Sequence, residues 1–430
     1  MIDGEYGSRE SPRSSLFWAI WSVSAAFGTY SCMYAFRKPF TASTYPGGVV
    51  WGASEKTVLV TAQILGYTLA KIIGIRVVAE TTPARRAATI LMLIAAAEAA
   101  LVFFAMAPSP LHVAGLFLNG LALGMVFGLV LGFLEGRRMT EALTAGLCAS
   151  FILADGLMKS VGTWLLRIGV TQRWMPALAG LMFVPLLLIS VGMLTRIPPP
   201  DARDVASRSA REPMNRRERS ALFRRYAPGL SAIIGVYLLI TIARSLRADF
   251  APELWKALGT TVTPATFARS ELLVALGVLA ATGLTSLIAD NRRAFFTALS
   301  LAGAGGALMV LALVGLGRPW FGGFDFMVLM GLGLYLPYVA IHTTVFERLI
   351  AMTRERGNLG FLMYLADAVG YLGYAAVMVA GSFRPQHGDI LRFYAVVSWL
   401  IAVLGLVSLA FGWVYFTRRV RVGLPSGAES

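Results

Sequence analysis

Charge is scarce in this 430-residue chain: Asp, Glu, Lys and Arg together make up 14%, against about 25% in an ordinary soluble domain. Apolar residues reach 57% and the mean hydropathy is +0.68. That leaves too little polar surface to cover a water-soluble globule of this size. Soluble, disordered and collagen-like classes are excluded. Cysteine is nearly absent. Cys32 and Cys148 are the two, both inside apolar stretches, so neither a disulfide framework nor a Cys-based metal site is expected. The three histidines, His112, His342 and His387, show no HExxH spacing, and no metal is expected. No GxxxxGK[ST] string occurs, which argues against ATP-driven work. No nucleophile–base constellation is readable, so neither an enzyme nor a cofactor is expected.

What the chain does have is long apolar runs. A helix needs about 20 mostly apolar residues to cross the hydrocarbon. Twelve stretches qualify, near 16–40, 57–79, 87–107, 111–134, 143–167, 174–195, 228–249, 268–289, 294–316, 323–346, 358–382 and 391–416. They are numbered spans 1 to 12, and they predict an all-α integral membrane protein. The N-terminal string MIDGEYGSRESPRSS lacks the apolar core and cleavage site of a signal peptide, so span 1 is expected in the mature protein.

Twelve spans put both termini on one side. With that side inside, 23 of the 38 Lys and Arg fall in inner segments and eight in outer loops. This bias predicts cytoplasmic termini in a bacterial-type inner membrane. The net charge of +15 is therefore read as topological, and no nucleic-acid partner is expected. Residues 196–227, RIPPPDARDVASRSAREPMNRRERSALFRRYA, read as a basic cytoplasmic linker that touches anionic lipid headgroups. It separates a six-helix half, residues 1–195, from a second, residues 228–430. A monomer is expected.

The halves echo each other. Arg37 lies late in span 1 and Arg244 late in span 7. Glu135 ends span 4 and Asp155 follows 20 residues later in span 5; Glu347 ends span 10 and Asp367 follows 20 residues later in span 11. PARR after span 2 and ADNRR after span 8 are further repeat-related positions. The ordered series predicts two pseudo-symmetric halves around a central site.

Seven basic residues fall within spans: Arg37, Lys38, Lys71, Arg76, Lys159, Arg244 and Arg247. Each costs about 2.5–3.5 kcal/mol at a helix centre on insertion scales. The clearest acids in spans are Glu98, Asp155 and Asp367. Cations outnumber anions, so a mobile anion is expected to neutralise the excess. Arginine suits phosphate or carboxylate, because its guanidinium fork binds two oxygens at once. Tyr335, Tyr338 and His342 share one face of span 10, beside Pro337. That face either lines a cavity or packs against neighbouring helices.

Residues 30–38, YSCMYAFRK, place Tyr30 and Tyr34 seven and three residues before Arg37. This resembles the first-span motif of the organophosphate:phosphate antiporters of the major facilitator superfamily. In span 7, RSLRADFAPELW sets Arg244 five residues before Asp249 and eight before Pro252, similar to the family's second arginine. In span 2, GYTLAK places Lys71 four after Tyr67, similar to a family lysine that faces the cavity. MYAFRKPF also resembles a poorly characterised branch of the superfamily. The family's span 5 histidine has no counterpart. The resemblance implies the major facilitator fold and a phosphorylated substrate exchanged for inorganic phosphate. It implies that Arg37 and Arg244 hold the phosphate. Lys38 and Lys71 would add positive field, and Tyr30, Tyr34, Tyr338 and His342 would line the site.

Two other readings stay open. Asp155 and Asp367 occupy matching places in the repeat, and with Glu98 they suit a proton-coupled symporter of a carboxylate or other small solute. Asp155 also lies one turn from Lys159, where the two would pair. A non-transporting sugar-phosphate sensor is the third reading, with residues 196–227 as its contact.

Overall fold

The computed structural model describes residues 12–134, 140–198, 216–353, 359–382 and 390–422. The N-terminal string to residue 11, Glu135, the loop with Arg137 and Arg138, linker residues 199–215, Arg354, Arg356 and His387 lie outside the described residues. So does the side chain of Arg76.

Helices dominate: α1 (Pro12–Ala35), α2 (Glu55–Glu80), α3 (Pro83–Met106), α4 (His112–Leu123), α5 (Val126–Leu134), α6 (Thr140–Arg167) and α7 (Met175–Thr195) make the first half. The second comprises α8 (Arg216–Asp249), α9 (Ala251–Ala257), α10 (Pro264–Ser286), α11 (Asn291–Gly315), α12 (Gly323–Ala340), α13 (Phe346–Thr353), α14 (Leu359–Ser382) and α15 (Ile390–Val422). With α4–α5 and α12–α13 each counted as one passage, and the short α9 aside, these follow the twelve expected spans. Nine passages among the described residues are long and apolar enough to cross a membrane. In α6 the charges of Asp155 and Lys159 lower the hydropathy. In α1 the Ser, Thr and Tyr residues do so. α14 keeps a shorter apolar run, Leu365–Ala380.

Large apolar side chains stay exposed around the rim, among them Ile72 on α2, Ile189 on α7, and Leu400 and Val407 on α15. In water these faces would associate; in lipid they are solvated while each helix satisfies its own backbone. The chain is an integral membrane protein.

Helix starts follow local chemistry. Asp290 caps α11 by accepting from the Arg293 backbone N–H, and Pro264 opens α10 behind the capping Thr263. Part of the expected linker is helical. α8 begins at Arg216 and bends at Tyr226, two residues before Pro228, where the ring removes a helical donor.

Close approach within each half needs glycine. A Cβ on Gly120 of α4 would lie 2.0 Å from the Gln63 carbonyl oxygen of α2, and one on Gly66 equally near the Phe117 carbonyl. The halves meet mainly along α6–α10 and α2–α14. The passages alternate in direction. The ends bearing Arg85, Arg292 and Arg418 form a basic end, and the ends of α1, α6 and α8 form the opposite end.

Candidate functional site

The opposite end is closed by buried ion pairs that cross between the halves. α1 stops at Ala35, and Phe36–Lys38 turn into a short 3-10 segment, Pro39–Ala42. The turn frees carbonyls, and a buried amide pair takes them up. Asn119 donates to the Phe36 and Ala97 carbonyls; Gln63 donates to the Arg37 carbonyl and the Asn119 side chain. This fixes the backbone from which Arg37 and Lys38 project.

Lys38 points outward along the seam. Its Nζ is 2.6 Å from Asp249 Oδ1 on α8 and 3.3 Å from Asp155 Oδ1 on α6. Lys159 bonds the other Asp155 oxygen, and the Tyr374 hydroxyl donates to Asp249 at 2.9 Å. Nearby, Lys56 holds Glu253 at 2.6 Å. Arg247 is held within the second half by Glu271 at 2.9 Å and the Met327 carbonyl.

Deeper in the bundle lies a cavity of about 10 Å³, room for roughly one water. Tyr30, Tyr34, Lys71, Arg244, Tyr338, His342 and Asp367 all line it, with Tyr67, Phe127, Phe151 and Tyr371. Arg37 stands beside it. Its Cζ is 3.9 Å from the Tyr67 ring centroid and 5.9 Å from that of Tyr371. Arg244 approaches from the other half. Its Cζ is 4.4 Å from the Tyr338 centroid, and one nitrogen reaches the Tyr371 hydroxyl at 3.5 Å. Both guanidiniums are buried, and both Nε atoms lack a hydrogen-bond partner. Among the described residues neither forms an ion pair.

Lys71 differs. It pairs with Asp367 of α14 at 2.9 Å. Asp367 also accepts from the Tyr237 hydroxyl, which lies 3.3 Å from His342 Nδ1. Tyr237, Tyr338 and His342 stack, with centroids 4.9 to 6.0 Å apart. His342 sits on a π-helical turn, Ile341–Val345, which directly follows α12 and its internal Pro337. Such turns re-aim side chains and recur at functional sites.

Most of the expected cavity residues thus come together, while Lys38 joins the seam cluster. Glu98 is away from the cavity, with both oxygens buried against the Gly180 and Phe36 region and without a hydrogen-bond partner. The matched places assigned to Asp155 and Asp367 are not at matching depth. Asp155 and Tyr374 both reach the Lys38–Asp249 cluster, so Tyr374 is the depth partner of Asp155. Asp367 lies seven residues, about two turns, nearer the basic end. Equal spacing from the preceding acid does not carry equal depth, since Glu347 lies inside α13, which runs on to Thr353. Tyr67, Tyr237 and Tyr371 were not singled out as site residues. A signal existed for Tyr371, four residues after Asp367 and hence on the same helix face.

No curated protein matches the chain in sequence. Among solved structures it resembles a D-xylose–proton symporter, with a TM-score of 0.58 and 14% identity, covering 94% of this chain and 98% of that one. It also resembles a bacterial homologue of the human lysosomal transporter Spinster, in an inward-facing and unoccupied conformation. There the TM-score is 0.62 and the identity 12%, covering 95% and 99%. These likenesses establish the major facilitator fold, two six-helix halves around a central cavity. A family model matches residues 39–419, and the chain therefore belongs to the family of unknown function DUF5690.

Proposed function

We propose that this protein is a secondary transporter of a small organic anion, by preference a phosphorylated metabolite exchanged for inorganic phosphate. One observation carries the reading: Arg37 and Arg244, one from each half, are buried beside the same tyrosine with no acid to pair with among the described residues. The other buried lysines and arginines among the described residues have carboxylates: Lys38, Lys56, Lys71, Lys159 and Arg247. Tyrosine faces offset part of the roughly 2.5–3.5 kcal/mol that burying each arginine costs, but they leave its charge unneutralised. A ligand with two or more anionic oxygens removes the deficit, and it does so best when the halves close on it.

The mechanism is alternating access. The anion enters from the basic end, taken here as cytoplasmic, and sits between Arg37 and Arg244. The hydroxyls of Tyr30, Tyr34, Tyr338 and Tyr371 and the His342 ring bind its remaining polar groups. Drawing the halves together at the basic end strains the Lys38–Asp249 and Lys56–Glu253 pairs, and their release opens the opposite end. An empty site with two facing arginines resists closing, which favours exchange over net flux. Phosphate exchange in proteoliposomes, with candidate organophosphates as competitors, tests this reading. Competition in the micromolar range supports it, and the absence of any exchange by correctly inserted protein sinks it.

A second reading, proton-coupled symport, has support of its own. Asp367 lines the cavity in contact with Lys71 and Tyr237, near His342. An anion that draws Lys71 away would leave Asp367 to take a proton. Uptake driven by an imposed pH gradient, and lost in Asp367→Asn, selects symport. Exchange indifferent to the gradient selects antiport.

A further inference from the structure

A second basic feature lies outside the central cavity, on the exposed outer side of the second half. At the basic end a groove of about 650 Å³ runs between the start of α11 and the last third of α15. Arg292 and Arg293 stand at its mouth. Thr297 and Ser300 follow on the same helix face, about 6 and 10 Å deeper at 1.5 Å per residue. Trp413 of α15 forms the wall, packed on Phe296 with ring centroids 4.8 Å apart. From the mouth inward come two cations and then hydroxyls, with the aromatic wall of Trp413 and Phe296 level with Thr297. Arg293, Thr297, Ser300 and Trp413 are exposed.

The repeat shows that the arginine pair is free of structural duty. In the first half the corresponding loop carries Arg85 and Arg86, and Arg86 turns inward to donate to the Gly132 carbonyl of α5. In the second half the inward contact is made differently: Arg348 donates to the Asn291 side chain. Arg292 and Arg293 form no ion pair among the described residues. Asp290, the nearest acid in the chain, is engaged with the backbone N–H of Arg293 as the helix cap. Arg418 and Arg419, exposed just beyond Thr417, add to the positive field.

We propose that this groove binds an anionic phospholipid of the leaflet at the basic end. The headgroup phosphate is held by Arg292 and Arg293, the ester region by Thr297 and Ser300, and an acyl chain lies along Trp413. The guanidinium pair fits phosphate oxygens, and basic pockets between helices at a membrane surface select anionic headgroups. A free phosphate or organophosphate shares the headgroup chemistry but has nothing to place on the hydroxyl and aromatic steps.

The test uses the full chain in detergent micelles, titrated with brominated phosphatidylglycerol or brominated phosphatidylcholine. Quenching is read as the difference between wild type and Trp413→Phe, which isolates the groove among the nine tryptophans. The expected result is half-quenching at a phosphatidylglycerol concentration at least about 10-fold below that for phosphatidylcholine. Arg292→Gln with Arg293→Gln should abolish the difference, and Thr297→Ala with Ser300→Ala should weaken it about threefold. Removing two charges elsewhere at this end, by Arg85→Gln with Arg224→Gln, should change it less than twofold. Equal quenching by the two lipids overturns the proposal, as does equal loss in the Arg85/Arg224 variant. Displacement of the lipid by millimolar inorganic phosphate overturns it too, in favour of a free-anion site.

Discussion

The seam at the opposite end and the cavity beneath it are built from the same kinds of side chain and do different things. In the seam, Lys38, Lys159 and Lys56 face Asp155, Asp249 and Glu253, and the charges cancel. In the cavity, Arg37 is the immediate neighbour of Lys38 in the chain yet lies over tyrosine rings, and Arg244 does so from the other half, with one nitrogen toward the Tyr371 hydroxyl. One residue along the backbone thus divides a cation paired across the seam from one over tyrosine rings, where the proposed anion would bind. Residue type follows the division. The seam uses lysine, a compact point charge; in the cavity Lys71 is paired with Asp367, and the two cations left without an acid among the described residues are arginines, whose fork matches a planar or tetrahedral oxyanion.

Breaking the cavity side should have the largest effect. Arg37→Ala or Arg244→Ala is expected to weaken anion binding about 100-fold or more, the loss of a desolvated charge contact worth ~3 kcal/mol, while unfolding midpoints hold or rise. Titration of the purified protein with labelled phosphate reads the first, and thermal unfolding reads the second. The seam should behave in the reverse manner. Lys38→Met strands Asp249 in a buried site and should destabilise the fold by about 3–5 kcal/mol. Adding Asp249→Leu should recover more than half of that loss; no recovery would mean that the pair is not the unit of stability. Lys56→Gln breaks a pair whose acid is partly exposed, worth about 1 kcal/mol or less. Its expected effect is a gate that opens more often, seen as about fivefold faster labelling of Ala42→Cys from the opposite side. The smallest effect is at the shared tyrosine. Tyr371→Phe removes one hydroxyl between the arginines and should weaken phosphate about 2–10-fold, with no change in thermal midpoint.

The sequence made one side of this comparison far easier to read than the other. Twelve apolar runs and the two arginines were visible, because lipid imposes a local length rule and makes any buried charge conspicuous. The partners of those charges were not. Lys38 and Asp249 are 211 residues apart, and Lys71 and Asp367 are 296 apart. No helical periodicity links positions on different helices. Lys38 was therefore grouped with the ligand cations, and the structure puts it in the seam. The depth of Asp155 relative to Asp367 is hidden for a related reason: equal spacing from a preceding acid does not fix where each carboxylate meets the other helices. The pair at one-turn spacing, Asp155 and Lys159, was legible and is present.

The central claim is that Arg37 and Arg244 hold one anion between them. Equilibrium binding of labelled phosphate to wild type, Arg37→Ala, Arg244→Ala and the seam variant Lys56→Gln tests it most directly. The account predicts saturable binding at one site per chain in wild type and in Lys56→Gln, and its loss in either arginine variant. Binding that survives both arginine variants at wild-type affinity would contradict it.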